Sequence, residues 1–519
     1  MPDNKVVNSE VDEKLQALLS NSNAARLISQ AIEGTIGPKG LDIMMVDSLG
    51  DVVISNDGVT ILKMMAVNHP AARMIINTAR AQQSEVGDGT TTATILAGAL
   101  VAEGAAHVIK GVPVIRVIQG IQLGVARSIE LIENRSRRIN TLEDPFLFHS
   151  ASIAARGQED IAALVIDGAK MVGEAKMLDT DYKFPDTVVA KEAADSQVFM
   201  GILIKGEPLN REMPRHLDDV RILVIDDALA PEGTDLETRG TESGFQYYLE
   251  SKKQYAANLR KICALGVNLV LVDRSSDDLA EQIFTEAGIV AIHRVSRRVL
   301  DKICRHTGAR KVKRNGLNRP VEQLAAYLGY ASRVQVDDKL KHTYLLEGTA
   351  EAQATVLIGA ATEEVVDEKE RLARDAAAAV QAALQKGIVP GGGAIEIWVA
   401  KHLDELAHDY KGMTSYGILA VKEALLRPFA CMAGNAGFNP LEKLGDVIAE
   451  QRQKGSDSIT IEYDTGNLID ACEVGIVDPT MVKIHAIKAA GEVATAILRI
   501  NTIIKMRDGE SYSQETLDK

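Results

Sequence analysis

Hydrophobic residues follow a helical period near both ends of the chain. Between residues 11 and 33 they recur three or four positions apart, at Leu15, Leu18, Leu19, Leu27, Ile28 and Ile32. This spacing predicts an amphipathic helix. Further helices are predicted for residues 95–109, from Pro113 to about residue 134, and through most of the last 120 residues. Residues 1–10 are polar and predict a loose or strand-like start.

Short apolar runs indicate strands in two places. Residues 43–46 and 51–54 flank a Ser-Leu-Gly turn, which predicts a β-hairpin. The continuous apolar runs 221–225, 268–272 and 289–292 alternate with helical patterns, which favours an α/β domain with a largely parallel sheet. Three further strands are predicted at 332–336, 343–346 and 354–358, followed by a helix over 364–386. The chain therefore reads as a multidomain α+β and α/β protein whose two helical ends form one domain around an insertion.

Composition narrows the classes of function. The 519 residues carry a formal net charge of −14, which argues against nucleic acid or an anionic membrane as the main partner. The four cysteines form no CxxC pair, which is typical of a reducing compartment. We find no signal-peptide pattern and no apolar run of membrane-spanning length, so we expect a soluble, cytoplasmic protein.

The segment Gly87-Asp88-Gly89-Thr90-Thr91-Thr92 opens the helix over residues 95–109. Glycines let the backbone approach a ligand closely, and a helix N-terminus attracts anions. Asp88 would repel a bare phosphate, but it suits a site in which Mg²⁺ lies against phosphate oxygens. The alternative is that Asp88 caps the helix and the threonines fill its first turn. The segment is not a P-loop, since the chain contains no GxxxxGK[ST].

A long polar stretch at residues 231–243 replaces the short loop expected after the strand at 221–225. Such loops are usually functional or mobile. The aromatic residues Phe245, Tyr247 and Tyr248 follow it. They could pack in a core, or they could form an exposed apolar patch for a partner.

Six motifs in register resemble the nucleotide-site motifs of the chaperonin family. They are Thr35-Ile36-Gly37-Pro38-Lys39-Gly40, Asn56-Asp57-Gly58-Val59-Thr60-Ile61, the segment 87–94, Pro390-Gly391-Gly392-Gly393, Asn435-Ala436-Gly437-Phe438-Asn439-Pro440 and Gly475-Ile476-Val477-Asp478-Pro479-Thr480. The resemblance covers essentially the whole chain.

The closer resemblance is to group II chaperonins, the archaeal thermosome and its eukaryotic relatives. It rests on residues 56–62, on 494–500, and on a long segment at 228–255 in the position of the built-in lid. Asp478-Pro479 instead resembles the bacterial group I motif, and the lid sequence is divergent. This mixture is similar to the bacterial group II-like chaperonins, often called group III.

The resemblance implies a back-to-back double ring that encloses unfolded polypeptide and cycles on ATP. An equatorial ATPase domain would comprise 1–139 and 390–519, an intermediate hinge domain 140–204 and 351–389, and an apical substrate-binding domain 205–350 with the lid at about 228–258. Homo-oligomeric rings of eight subunits, Mg²⁺ as cofactor with K⁺ as a further candidate, and no separate co-chaperonin are the expectations for this group.

The resemblance also assigns roles to individual residues. Asp88 would bind Mg²⁺, Asp57 would lie near the γ-phosphate, and Asp375 would orient the attacking water from a different domain, so that hydrolysis would require hinge closure. Without the resemblance, Asp375 and Asp57 would pass for a solvated helix position and an ordinary turn residue. The remaining nucleotide contacts would be Thr35, Ile36, Gly37, Pro38, Gly58, Gly89, Thr90, Thr91, Thr92, Gly391, Gly392 and Asp478, with Lys191 as a γ-phosphate sensor.

Three classes of function remain open. The first is an ATP-driven folding machine. The second is a small-molecule kinase or metabolic ATPase, which is disfavoured because no acceptor pocket or general base stands out. The third is a binding scaffold that has lost ATPase activity, which the presence of Asp57, Asp88 and Asp375 argues against.

Overall fold

The computed structural model describes residues 4–231, 242–410 and 412–503. The chain divides into two compact units. Unit 1 contains residues 1–156 and 378–519, so the two ends of the chain belong together. Unit 2 contains residues 157–377. The finer division into equatorial, hinge and apical domains stays a prediction.

Most of unit 1 is helical, and further helices lie between the strands of unit 2 along the chain. In chain order they are α1 (Asn4–Glu33), α2 (Gly58–Met64), α3 (Pro70–Glu85), α4 (Thr90–Ile109), α5 (Val114–Arg135), α6 (Pro145–Ala154), α7 (Glu159–Val172), α8 (Glu174–Met177), α9 (Glu242–Ala264), α10 (Asp278–Glu286), α11 (Arg297–Thr307), α12 (Val321–Ala325), α13 (Val366–Lys386), α14 (Ala394–Asp409), α15 (Ser415–Asn435), α16 (Pro440–Lys454) and α17 (Thr480–Leu498).

The strands fall into one large sheet and three pairs. In chain order they are β1 (Ile43–Val46), β2 (Val52–Ser55), β3 (Val188–Glu192), β4 (Gln197–Lys205), β5 (His216–Ile225), β6 (Leu269–Val272), β7 (Val290–Ile292), β8 (Lys311–Val312), β9 (Gly329–Asp337), β10 (His342–Gly348), β11 (Ala354–Ala360), β12 (Ile388–Pro390), β13 (Ile459–Ile461), β14 (Leu468–Asp470) and β15 (Val477–Pro479).

Helix α4 forms the centre of unit 1, where it packs against α1, α3, α15 and α17. Small residues make this close packing possible: a Cβ at Gly98 would lie 2.4 Å from Ser29 Oγ, and one at Gly104 would lie 2.6 Å from Leu498 Cδ1. By length and composition α4 could cross a membrane, contrary to the expectation that no apolar run would be long enough. Burial accounts for this composition, since a helix surrounded by core is apolar on all sides.

The sheet of unit 2 is mixed. Within the described residues its strand order is β3-β11-β4-β10-β9-β5-β6-β7, with β8 beside β5. The β5, β6 and β7 strands pair in parallel as predicted. The expectation of a largely parallel sheet is nevertheless wrong, because β10 pairs antiparallel with β4 and β9, and β9 with β5. The short loop between β9 and β10 allows only a hairpin, whereas a parallel pair needs a long crossover.

The chain start also differs from the prediction. The β1–β2 hairpin is confirmed, with Met44 opposite Ile54 and Val46 opposite Val52. Helix α1, however, begins at Asn4, so the loose or strand-like start predicted for residues 1–10 is wrong over the described residues 4–10. No glycine or proline interrupts residues 4–33, and extending an existing helix costs little. Of the predicted lid, residues 232–241 lie outside the described residues.

Candidate nucleotide site

The N-terminus of α4 has the geometry of an anion site. The helix begins at Thr90, and its N-cap is Gly89 in the left-handed conformation, with φ of 75°. Glycine has no side chain to accept hydrogen bonds from the first-turn N–H groups, so these groups remain available to a ligand. The interpretation that Asp88 caps the helix is therefore wrong. Its Oδ1 accepts a hydrogen bond from Gly89 N at 2.5 Å instead.

Asp57 connects this helix end to a second one. It is the N-cap of α2 and accepts hydrogen bonds from Thr60 N at 2.9 Å and Thr60 Oγ1 at 2.7 Å. Its other carboxylate oxygen accepts from Thr90 Oγ1 at 3.3 Å. The next residue, Gly58, packs so closely that a Cβ there would lie 2.7 Å from Thr91 Oγ1. The Asp57 turn and the first turn of α4 thus form one hydrogen-bonded surface.

The segment at residues 35–38 is fixed to the same helix. Ile36 is buried against Ile95 of α4, and its carbonyl accepts a hydrogen bond from Asn435 Nδ2 at 3.0 Å. Thr35 Oγ1 donates to Ile32 O at 2.9 Å. Gly37 has φ of 84°, and a Cβ there would lie 2.7 Å from Met432 Cγ. The strained turn before Pro38 therefore requires glycine at position 37.

The glycine motif at 390–393 lies against Asp478. Strands β12 and β15 pair antiparallel, with Val389 opposite Asp478. Gly391 N donates to Ile476 O at 2.9 Å, and a Cβ at Gly391 would lie 3.1 Å from Asp478 Oδ2. Gly392 O accepts hydrogen bonds from Thr460 Oγ1 and Tyr463 Oη. These hydrogen bonds hold the turn against β13 and β15.

A buried lysine that sequence reasoning missed holds Asp478 in place. Lys483 Nζ lies 2.7 Å from Asp478 Oδ2 and 2.6 Å from Glu396 Oε1. Burial alone would lower the pKa of Lys483, but the carboxylates of Asp478 and Glu396 outweigh it and raise that pKa above its ordinary value. Glu396 is 2% exposed, and its Oε2 has no hydrogen-bond partner among the described residues. No local pattern could have linked Lys483 to Glu396, because these two residues are far apart in sequence.

Comparison with known proteins decides the family. Residues 28–508 match the family model of the TCP-1/cpn60 chaperonin family. The chain belongs to the TCP-1/cpn60 chaperonin family. The resemblance drawn from the six motifs is thereby confirmed.

Two thermosome subunits and one solved structure place the chaperonin among its relatives. It is 35% identical to a thermosome subunit of Pyrococcus abyssi over 512 residues, which cover 94% of this chain and 92% of the relative. It is 34% identical to the thermosome subunit beta of Thermococcus kodakarensis over 501 residues, with 93% and 91% covered. The crystal structure of a group III chaperonin in the open state is 46% identical, with a TM-score of 0.88 and 95% and 100% coverage. These relatives confirm the prediction of a group II-like chaperonin.

Two predicted site residues of the chaperonin belong to unit 2. Asp375 lies on α13, where Arg371 Nη1 donates to its Oδ2 at 2.8 Å. Its side chain is 18% exposed, so it is not the solvated helix position that the charged run suggests. Lys191 is half-buried on β3, and burial together with the nearby Lys205 lowers its pKa. The structure therefore groups Asp57, Asp88 and Asp478 in unit 1, and Asp375 and Lys191 in unit 2.

The aromatic residues after the predicted lid loop lie on α9. Phe245 is 50% exposed and Tyr247 is 54% exposed, and Tyr248 is half-buried. The alternative in which this cluster packs in a core is therefore wrong for Phe245 and Tyr247. An exposed apolar patch remains the interpretation for these residues.

The donors around Asp88 suit a magnesium ion that is shared with a ligand. Across the described residues 4–231, 242–410 and 412–503, no group of three or more His, Cys, Asp or Glu side chains could hold a metal by itself. Mg²⁺ commonly takes one or two carboxylates and completes its shell with phosphate oxygens and water. Asp88, next to the uncapped first turn of α4, offers that combination.

Proposed function

We propose that this protein is an ATP-driven chaperone that encloses non-native polypeptides within a double ring and promotes their folding. The observation that carries the proposal is the convergence of separate chain segments on the N-terminus of α4. Asp57 bonds to Thr90, Ile36 packs on Ile95, and Gly89 packs on Val482, which precedes Lys483. The matching family and relatives support the same function.

The phosphates of ATP would bind at the first turn of α4. The N–H groups of Thr91 and Thr92 and the helix dipole would attract them, and Gly89 would let them approach. Asp88 would hold Mg²⁺, which would neutralise part of the negative charge on the phosphates. Thr35, Gly37, Pro38, Gly391, Gly392 and Asp478 would contact the rest of the nucleotide.

Hydrolysis would require a water molecule held in line with the γ-phosphate. Asp57 would help to place this water, because its carboxylate is fixed by donors from both α2 and α4. Asp375 would orient the water, with Lys191 as the phosphate sensor. Since both of these residues belong to unit 2, hydrolysis would depend on the interdomain hinge that the family resemblance implies.

Ring assembly finds support in the β1–β2 hairpin. Met44, Val46, Val52 and Ile54 are each more than half exposed, and their pairing places them on one face. An exposed apolar sheet face of this kind is typical of a surface that packs against another chain. We propose homo-oligomeric rings of eight subunits that assemble through it.

The segment at 228–258 would form the built-in lid, with exposed Phe245 and Tyr247 contacting polypeptide or a neighbouring lid. A separate co-chaperonin would then be unnecessary. The acidic net charge of −14 favours neither nucleic acid nor membrane as partner, and we propose a cytoplasmic location.

A refolding assay tests this function. A chemically denatured enzyme is diluted into buffer containing the purified protein and Mg²⁺, with ATP, with a non-hydrolysable ATP analogue, or without nucleotide. We expect phosphate release and a higher yield of refolded enzyme only in the sample that contains ATP. ATP binding without phosphate release would favour the inactive scaffold, and absence of ATP binding would contradict the proposal altogether.

A further inference from the structure

A fully buried glutamine lies beneath the Asp88 loop. Gln82, on α3, is 0% exposed. Its Nε2 donates to Asp88 O at 2.8 Å and to Val482 O at 3.2 Å. Its backbone carbonyl accepts from Val86 N and Gly87 N, at 3.0 and 3.3 Å. One residue therefore bonds to three successive positions of the loop and to α17.

The orientation of this amide is fixed by His485. His485 Nδ1 lies 2.6 Å from Gln82 Oε1. Since Gln82 uses both of its amide hydrogens on carbonyl oxygens, Oε1 must accept, and Nδ1 of His485 must carry the hydrogen. Neutral and protonated His485 both satisfy this requirement, so the contact does not depend on the protonation of Nε2.

Gln82 also sets the direction of the peptide between Asp88 and Gly89. The C=O and N–H of one peptide unit point in opposite directions. Holding the Asp88 carbonyl towards Gln82 therefore turns the Gly89 N–H away from it, and that N–H donates to Asp88 Oδ1 at 2.5 Å. A Cβ at Gly89 would lie 3.2 Å from Gln82 Nε2, so Gly89 packs closely against this amide.

We propose that Gln82, oriented by His485, is a positioning residue that presents the Asp88 carboxylate to the metal–phosphate unit of the nucleotide. This inference rests on the proposed function, because it takes Mg²⁺-nucleotide as the ligand of the loop. Removing a group that hydrogen-bonds to a metal ligand and orients it typically lowers metal affinity by about 10–100-fold.

Four variants test this role. Gln82→Glu keeps the side-chain shape but places a carboxylate against two carbonyl oxygens. Gln451→Glu is the matched control, since the buried amide of Gln451 also donates to two carbonyls, Ala394 O and Ile459 O, each at 3.0 Å. His485→Leu removes the orienting donor, whereas His485→Gln retains one.

Two measurements are made on the full-length protein. The first is amide hydrogen exchange over residues 86–92 without nucleotide. The second is calorimetric binding of a non-hydrolysable ATP analogue with and without Mg²⁺, which gives the factor by which Mg²⁺ tightens binding. We expect Gln82→Glu to accelerate exchange and to lower this factor about tenfold. His485→Leu should change both measurements in the same direction, and His485→Gln should resemble the wild type.

The outcomes separate positioning from general support of the fold. If Gln82→Glu lowers the Mg²⁺ factor no more than Gln451→Glu does, the proposal is overturned. Should Gln82→Glu fail to fold, His485→Leu decides, and an unchanged Mg²⁺ factor in that variant also overturns it. A wild type that binds no nucleotide contradicts the proposed function instead, and the exchange data then decide separately whether Gln82 holds the loop.

Discussion

The two units hold their predicted site residues in different ways. In unit 1, the carboxylates of Asp57 and Asp478 contact Thr90 and Lys483 from other elements of the fold. The backbone carbonyl of Asp88 accepts a hydrogen bond from Gln82. In unit 2, Asp375 forms an ion pair with Arg371, one turn earlier on the same helix.

This difference indicates which part of the site is formed before ligand binds. A carboxylate fixed by buried groups from several elements has one geometry, because moving it would leave those groups unpaired. Arg371 pairs with Glu368 as well as with Asp375, so two carboxylates of one helix share this cation. We infer that unit 1 presents a preformed nucleotide site, and that Arg371 can shift between Glu368 and Asp375.

The largest effect on stability should come from the buried lysine of unit 1. Lys483→Met leaves Glu396 and Asp478 without their shared cation, and loss of one partner of a buried ion pair typically costs about 3–5 kcal/mol. Urea denaturation should show a loss of this size. The matched control is Arg371→Met in unit 2, which breaks the pairs of Arg371 with Asp375 and Glu368. These side chains are more exposed than Glu396, so this loss should be smaller than that of Lys483→Met. Equal losses in the two variants would contradict the comparison.

The largest effect on activity should come from Asp375. Asp375→Ala removes the proposed water-orienting carboxylate and should lower kcat about 10²–10⁴-fold, since positioned proton acceptors typically contribute this much. Nucleotide affinity should stay within about threefold of the wild type, because the preformed site lies in unit 1. Steady-state phosphate release and calorimetric ATP binding check the two statements. Turnover that survives the substitution would remove Asp375 from the mechanism.

Gly89→Ala should have an intermediate effect. The new Cβ would lie 2.5 Å from Val482 Cγ1 at a residue with φ of 75°, so overpacking adds to backbone strain. We expect a loss of about 2–4 kcal/mol in the free energy of unfolding, together with weaker nucleotide binding. Gly111→Ala is the control, because Gly111 has φ of 97° and a Cβ there would meet nothing within 4 Å. It should cost only about 1–2 kcal/mol, and an equal cost at both glycines would contradict the packing argument.

The smallest predicted effect is an acid sensitivity of unit 2. Gly348 N donates to His306 Nε2 at 2.8 Å, and His306 Nδ1 lies 2.8 Å from Glu351 O, so the folded ring is neutral. Burial lowers the pKa of His306 below its ordinary value. The unfolded chain therefore binds the proton more readily, and stability is full above about pH 6.5 and falls as the pH drops towards the lowered pKa.

Urea denaturation at pH 7 and pH 5 measures this effect. The free energy of unfolding should be lower at pH 5 than at pH 7, with the lowered pKa of His306 contributing to the loss. His306→Gln removes the titrating group and should reduce the difference between the two pH values. A variant whose pH dependence equals that of the wild type would exclude His306 as the cause.

The sequence predicted those parts of the molecule that local pattern determines. The β1–β2 hairpin, helix α4 and the parallel strands β5 to β7 follow from alternation, period and apolar runs. The residues that surround the site could not be found in this way. Gln82 meets Val482 across 400 positions, and Lys483 meets Glu396 across another long separation, so no local period connects them. The mixed sheet likewise depends on pairings that apolar runs do not specify.

Electron microscopy of the purified protein tests the central claim most directly. Images are compared without nucleotide and with ATP, Mg²⁺ and aluminium fluoride as a transition-state mimic, with Asp375→Ala prepared in parallel. We expect double rings whose central opening closes with the nucleotide mimic. Rings that never close would contradict the built-in lid, and monomers under all conditions would contradict the chaperone chamber itself.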